Sequence, residues 1–175
     1  MRVRHRNPSG FTLLELLVML AVIATVAVIA VPGLLRARHA STEASAIASL
    51  RDISSSQTAY VSTCGNGYYA PTLAVLGTPP TGGGAPFISP DLAAGNVVIK
   101  SGYTITMAGT TAAAAPPTCN GVAAGRATSG YHATATAGIP GLRCFGVNTP
   151  GTIYQAAVPL AMTDTTAPPG AVPIR

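Results

Sequence analysis

Gly10-Phe11-Thr12-Leu13-Leu14-Glu15-Leu16-Leu17-Val18-Met19-Leu20 is the stretch on which the reading of this chain turns. It opens an apolar run from Phe11 to Val31 in which Glu15 is the only ionisable side chain. About 20 consecutive apolar residues suffice to cross a bilayer as a helix, so the run reads as a transmembrane helix. A carboxylate inside such a helix costs on the order of 3 kcal/mol and is rare without a partner. Glu15 follows Phe11 by one helical turn, which puts the two residues on one face.

The residues ahead of the run differ from an ordinary secretory signal. Met1 to Gly10 carry Arg2, Arg4 and Arg6 and lack an apolar centre. In a secretory signal the apolar segment precedes the cleavage site; here it would follow, so a cut after Gly10 leaves the membrane helix on the mature protein. A basic leader ending in Gly10, then Phe11, then Glu15, resembles the signal of the type IV pilin and type II secretion pseudopilin superfamily. That resemblance implies a prepilin peptidase cutting between Gly10 and Phe11, methylation of the new Phe11 amine, and a role for Glu15 in filament assembly. No cofactor is implied. In a bundle of such helices Glu15 can pair with the Phe11 amine of a neighbouring copy, relieving a charge otherwise stranded in apolar surroundings.

Charge gives an orientation. Arg2, Arg4 and Arg6 before the span outnumber Arg36 and Arg38 just after it, so the leader is expected in the cytoplasm. The resemblance implies the rest: a bacterial inner-membrane, single-pass subunit with a later place in a periplasmic or cell-surface filament. The formal net charge of +5 comes from ten Lys and Arg against five Asp and Glu. Removing the leader takes three of the ten and leaves seven against five, so the basic balance is mostly a precursor property and weak evidence for nucleic-acid binding.

The domain reading is a leader over 1–10, a transmembrane and assembly helix over 11–31, an amphipathic continuation over 32–63, and a small β-rich head over 64–175. Pro32-Gly33 is expected to kink or loosen the helix, because proline lacks a backbone donor and clashes with the preceding turn. Beyond it, Ala40, Ala44, Ile47, Leu50, Ile53, Tyr60 and Val61 fall near helical spacing. Ser41, Glu43, Ser45, Ser49, Arg51, Asp52 and Ser56 oppose them. With no Trp and three Phe, the core is not expected to rest on large aromatics.

Past the helix, Cys64-Gly65-Asn66-Gly67 is turn chemistry, and Thr72 to Gly77 reads as a short helical turn closed by glycine. Gly77 to Pro86 is loop. Strands are expected at Gly102–Met107, Gly130–Thr134, Leu142–Val147 and Thr152–Gln155, the last two joined through Asn148-Thr149-Pro150-Gly151. Thr110 to Pro117 reads as a spacer and Thr163 to Arg175 as an irregular tail. The fold class is therefore α+β: a long N-terminal helix packed on a small antiparallel sheet. Three cysteines lie beyond the membrane, where disulfides are permitted. Cys64–Cys119 and Cys119–Cys144 close loops of similar entropic value. The turn-like settings of Cys64 and Cys119 favour the first pair, leaving Cys144 in a strand.

Little points to an enzyme. Glu43, Asp52, Asp91 and Asp164 stand in no paired or motif-like setting for acid–base work, and Gly82-Gly83-Gly84 lacks the lysine and helix of a phosphate loop. His132 reads as an ordinary sheet residue. The cysteine spacings match no zinc pattern, and Asp91 and Asp164 lie far apart without a calcium loop. Lys100, Arg126, Arg143 and Arg175 are too scattered for a nucleic-acid stripe. The expected function is a structural subunit of a type IV pilus-like filament. Its expected partners are further copies of itself, prepilin peptidase and inner-membrane assembly machinery. A pseudopilin of type II secretion, or a membrane-tethered minor pilin acting as an adhesin or DNA-contact module, is the alternative.

Overall fold

A computed structural model describes residues 10–174; Arg2, Arg4, Arg6, His5 and Arg175 lie outside the described residues. The chain divides into two compact units, one ending at Ala40 and the other beginning at Ser41. Helix α1, Leu13–Thr63, contributes to both, and its helical assignment continues through Pro32. The second unit adds a short helix α2 (Leu73–Leu76) and six strands: β1 (Val97–Lys100), β2 (Tyr103–Ala108), β3 (His132–Ala137), β4 (Cys144–Asn148), β5 (Ile153–Ala156) and β6 (Val172–Pro173). This is an α+β fold of pilin type, a long N-terminal helix with an antiparallel sheet packed on its C-terminal part.

The sheet runs β1-β2-β3-β4-β5-β6, every neighbour antiparallel. The four expected strands are present with edges shifted by a few residues. Asn148 to Gly151 joins β4 to β5, with the Gly151 N–H donating to the Asn148 carbonyl at 2.7 Å. Gly151 takes the left-handed region that favours glycine, φ 78°. The helical turn before Gly77 also forms; the Val75 N–H donates to the Thr72 hydroxyl, capping it.

Two segments depart from expectation. The tail is not wholly irregular: Val172 and Pro173 pair with Gln155 and Tyr154. The Ala-Pro stretch is no free spacer either, because Thr111 bridges Thr128 and Ala115 is buried. In both places backbone groups that would otherwise lack partners find them on a neighbouring segment.

The helix face buried in the second unit is Ala46, Ser49, Leu50, Ile53, Ser56, Gln57 and Tyr60, a 3–4 residue repeat. Ser49 and Ser56 therefore point inward, contrary to expectation, while Ala40 and Ala44 are exposed. Burial of these polar residues is supported by hydrogen bonds. Ser56 donates to the Phe87 carbonyl at 2.7 Å and Ser49 to the Ser45 carbonyl at 3.0 Å. Gln57 donates to the Ala70 carbonyl at 2.8 Å and accepts from the Ala70 N–H at 2.9 Å.

The core also corrects the expectation about aromatics: Tyr60, Tyr103, Tyr131 and Phe145 are among its largest fully buried side chains. Tyrosine serves because each buried hydroxyl reaches a partner. Tyr103 donates to the Arg143 carbonyl at 2.8 Å, Tyr131 to the Ser54 hydroxyl at 2.9 Å and Tyr60 to Asn120 Oδ1 at 3.1 Å. A disulfide joins Cys64 to Cys119 with Cα atoms 4.9 Å apart, and Cys144 is a buried free thiol on β4.

Candidate assembly site

Helix α1 begins immediately after Thr12, whose hydroxyl accepts the Glu15 N–H at 3.2 Å, while the Thr12 carbonyl accepts the Leu16 N–H at 3.2 Å. Thr12 is thus the N-cap and fixes where the helix starts relative to Phe11. The spacing Thr-x-x-Glu at 12–15 carries this signal, and it went unread in the sequence. Among the described residues the Glu15 carboxylate has no hydrogen-bond or ion-pair partner. It is exposed, one turn from the point where the chain would gain an amine on cleavage.

Around Glu15 the helix displays apolar side chains. Leu13 is 82% exposed, Leu14 72%, Val28 75% and Ile29 81%. The helix is long and apolar enough to cross a membrane, and none of its most apolar window is buried. Leaving this much apolar surface in water is costly at about 25 cal/mol per Å². An exposed apolar surface of this extent marks a membrane or protein interaction site.

A family model for the prokaryotic N-terminal methylation motif matches residues 5–31, the stretch that contains Gly10, Phe11 and Glu15. The chain carries a prepilin-type N-terminal signal. No curated protein and no solved structure matches the chain. The signal supports a type IV pilin-like or pseudopilin protein, of a kind that is generally structural. It is also consistent with membrane anchoring before assembly.

The head behind this signal is held by polar contacts between residues far apart in the sequence. Arg143 makes a forked contact with Glu43 on α1, and its other nitrogen donates to Gln155. Hydrogen bonding to Glu43 raises the Arg143 pKa. Burial, then the Glu43 charge, pushes the Tyr103 phenol up to about 12. His132 and Asp164 pair at 2.7 Å, and the Thr110 N–H donates to the second Asp164 oxygen at 2.8 Å. Lys100 and Asp91 pair at 2.6 Å. Of the head's expected exposed cations, Lys100 and Arg143 are thus occupied within the fold.

These pairs set an acid limit. Hydrogen bonds from Lys100 and Ser89 hold the Asp91 carboxyl at about 2 against an ordinary 3.8. For Asp164, burial opposes ionisation, but the His132 and Thr110 hydrogen bonds outweigh it and the pKa is lowered. A carboxyl depressed in the folded state stabilises above its unfolded value and loses that contribution as pH falls through the folded one. Asp91 is half exposed, so its share is small after screening. Denaturation midpoints of the full chain in detergent should therefore be insensitive to these carboxyls above about pH 5 and decline below about pH 4. A decline already under way near neutrality would show that these pairs do not set the limit.

Proposed function

We propose that this protein is a structural subunit of a type IV pilus-like filament, cut after Gly10 by prepilin peptidase, methylated on Phe11 and assembled through α1. The observation that carries the reading is the exposed apolar N-terminal part of α1 with one unpartnered carboxylate, inside the matched signal. Before assembly the helix sits in the bacterial inner membrane with its N-terminus cytoplasmic. In the filament, partner copies cover the apolar surface, and Glu15 of one copy takes the Phe11 amine of another. A positive amine at a helix N-terminus opposes the helix dipole, so a nearby carboxylate favours its charged form. Pro32 and Gly33 supply a weak point in α1, since Pro32 has no N–H to return to the Val28 carbonyl. That weakness lets the chain adjust when it leaves the bilayer for the bundle.

The intact mass of the protein from its native membrane tests the processing steps. Under non-reducing conditions it should begin at Phe11, carry one added methyl and lack two hydrogens. A mass beginning at Met1 in cells with working prepilin peptidase would reduce the chain to a plain anchored module. Replacing Gly10 with Phe should leave the uncut precursor in the inner membrane. Undisturbed processing of that variant would refute the assigned cut.

A further inference from the structure

We propose that the C-terminal segment, residues 157–174, is a releasable strap across the outer face of the sheet, latched by Asp164 and kept from closing tightly by Asn148 beneath it. Three contacts hold the segment. Leu160 and Met162 are buried, and Met162 lies over Gly146, where an added Cβ would come within 2.7 Å of its Cγ. Asp164 accepts from Thr110 and pairs with His132 through its carboxylate, and its carbonyl accepts the Thr149 N–H at 3.0 Å. Finally, the Ile174 N–H donates to the Ile153 carbonyl at 2.8 Å beside the two-residue strand β6.

Asn148 sits under the middle of this path. It alternates with Gly146 on β4, so the two share a face of the sheet, and it is the cross-strand partner of His132. Met162 covers that face at Gly146 and Asp164 grips the backbone at Thr149, which places Asn148 beneath residues 162–164. Asn148 is completely buried, yet neither its Nδ2 nor its Oδ1 has a hydrogen-bond partner among the described residues. A buried amide left unmatched costs more than a hydrogen bond usually contributes. Lifting the strap hydrates Asn148 and recovers that cost, while the rest of the core stays shut. The outermost pairing also yields readily: β6 is short, exposed and contains Pro173, which has no N–H to donate. Release uncovers the edge of β5 and the Gly146 face of β4.

Hydrogen exchange on the full chain in detergent micelles separates this device from an ordinary packed tail. Asn148→Leu keeps the side-chain shape and removes the amide, and should slow exchange at Thr149 and Ile174 about tenfold. Exchange in the β2–β3 ladder, at Ile105 and Ala135, should not change. Asp164→Ala should speed the same two amides about tenfold, again without moving the ladder. If Asn148→Leu does not fold, the Asp164→Ala result decides alone. Faster or unaltered tail exchange in Asn148→Leu overturns the strap. So does unaltered tail exchange in Asp164→Ala, or an equal shift in the β2–β3 ladder for either variant. The last result would make the segment an inseparable part of the core.

Discussion

Glu15→Ala is expected to reach the membrane normally and to be missing from filaments. Insertion should be unimpaired, because removing a carboxylate from the apolar segment eliminates an unfavourable transfer of on the order of 3 kcal/mol. Incorporation should collapse for the opposite reason. The Phe11 amine of each copy would enter the bundle without its counter-charge, and breaking a buried pair by deleting one partner costs about 3–5 kcal/mol. At about 1.4 kcal/mol per tenfold, that is a loss of roughly two to nearly four orders of magnitude at each such contact. Membrane and sheared-filament fractions, compared for Glu15→Ala and Glu15→Gln, measure both halves of the expectation. Both variants should accumulate in the membrane, and neither should enter filaments. Normal filaments from either variant would exclude the pairing.

Removing the bridge is expected to have the next largest effect. Cys64 and Cys119 are separated by 55 residues, and a cross-link of that span restricts the unfolded chain by about 4 kcal/mol in the loop-entropy description. The bridge ties the end of α1 to the segment carrying Asn120, whose side chain donates to the Val75 and Thr78 carbonyls. Opening it therefore loosens the connection between α1, α2 and the loop before β3. The Cys64→Ser/Cys119→Ser double variant should lose about 4 kcal/mol in denaturant unfolding. Cys144→Ser should change stability much less, since it breaks no cross-link. A double variant as stable as the parent would show that the head does not depend on this closure.

The parts of the fold legible in the sequence are those written locally. Glycine- and proline-bounded runs give β2 through β5, and Thr72 and Gly77 bracket α2. Strand β1 escaped because Val97-Val98-Ile99 offers no polar alternation, and β6 because two residues make no pattern. The inward serines of α1 were misplaced because their burial depends on carbonyls supplied from elsewhere, such as that of Phe87 for Ser56. Contacts between distant positions were equally invisible. Glu43 and Arg143 are 100 residues apart and His132 and Asp164 are 32 apart, and no motif spans such distances. Gly10, Phe11 and Glu15 stand at the other extreme. Their proposed chemistry lies within half a dozen consecutive residues, which is why a sequence motif can carry it.

Because each strand of the sheet pairs with its immediate predecessor, the head can be laid down in the order in which the chain is made. A meander of this kind needs no late strand threaded between two earlier ones. As the chain is made from helix α1 onward, every new strand arrives beside a waiting edge. Growth stops at Pro173, where the last strand offers a poor template to whatever comes next.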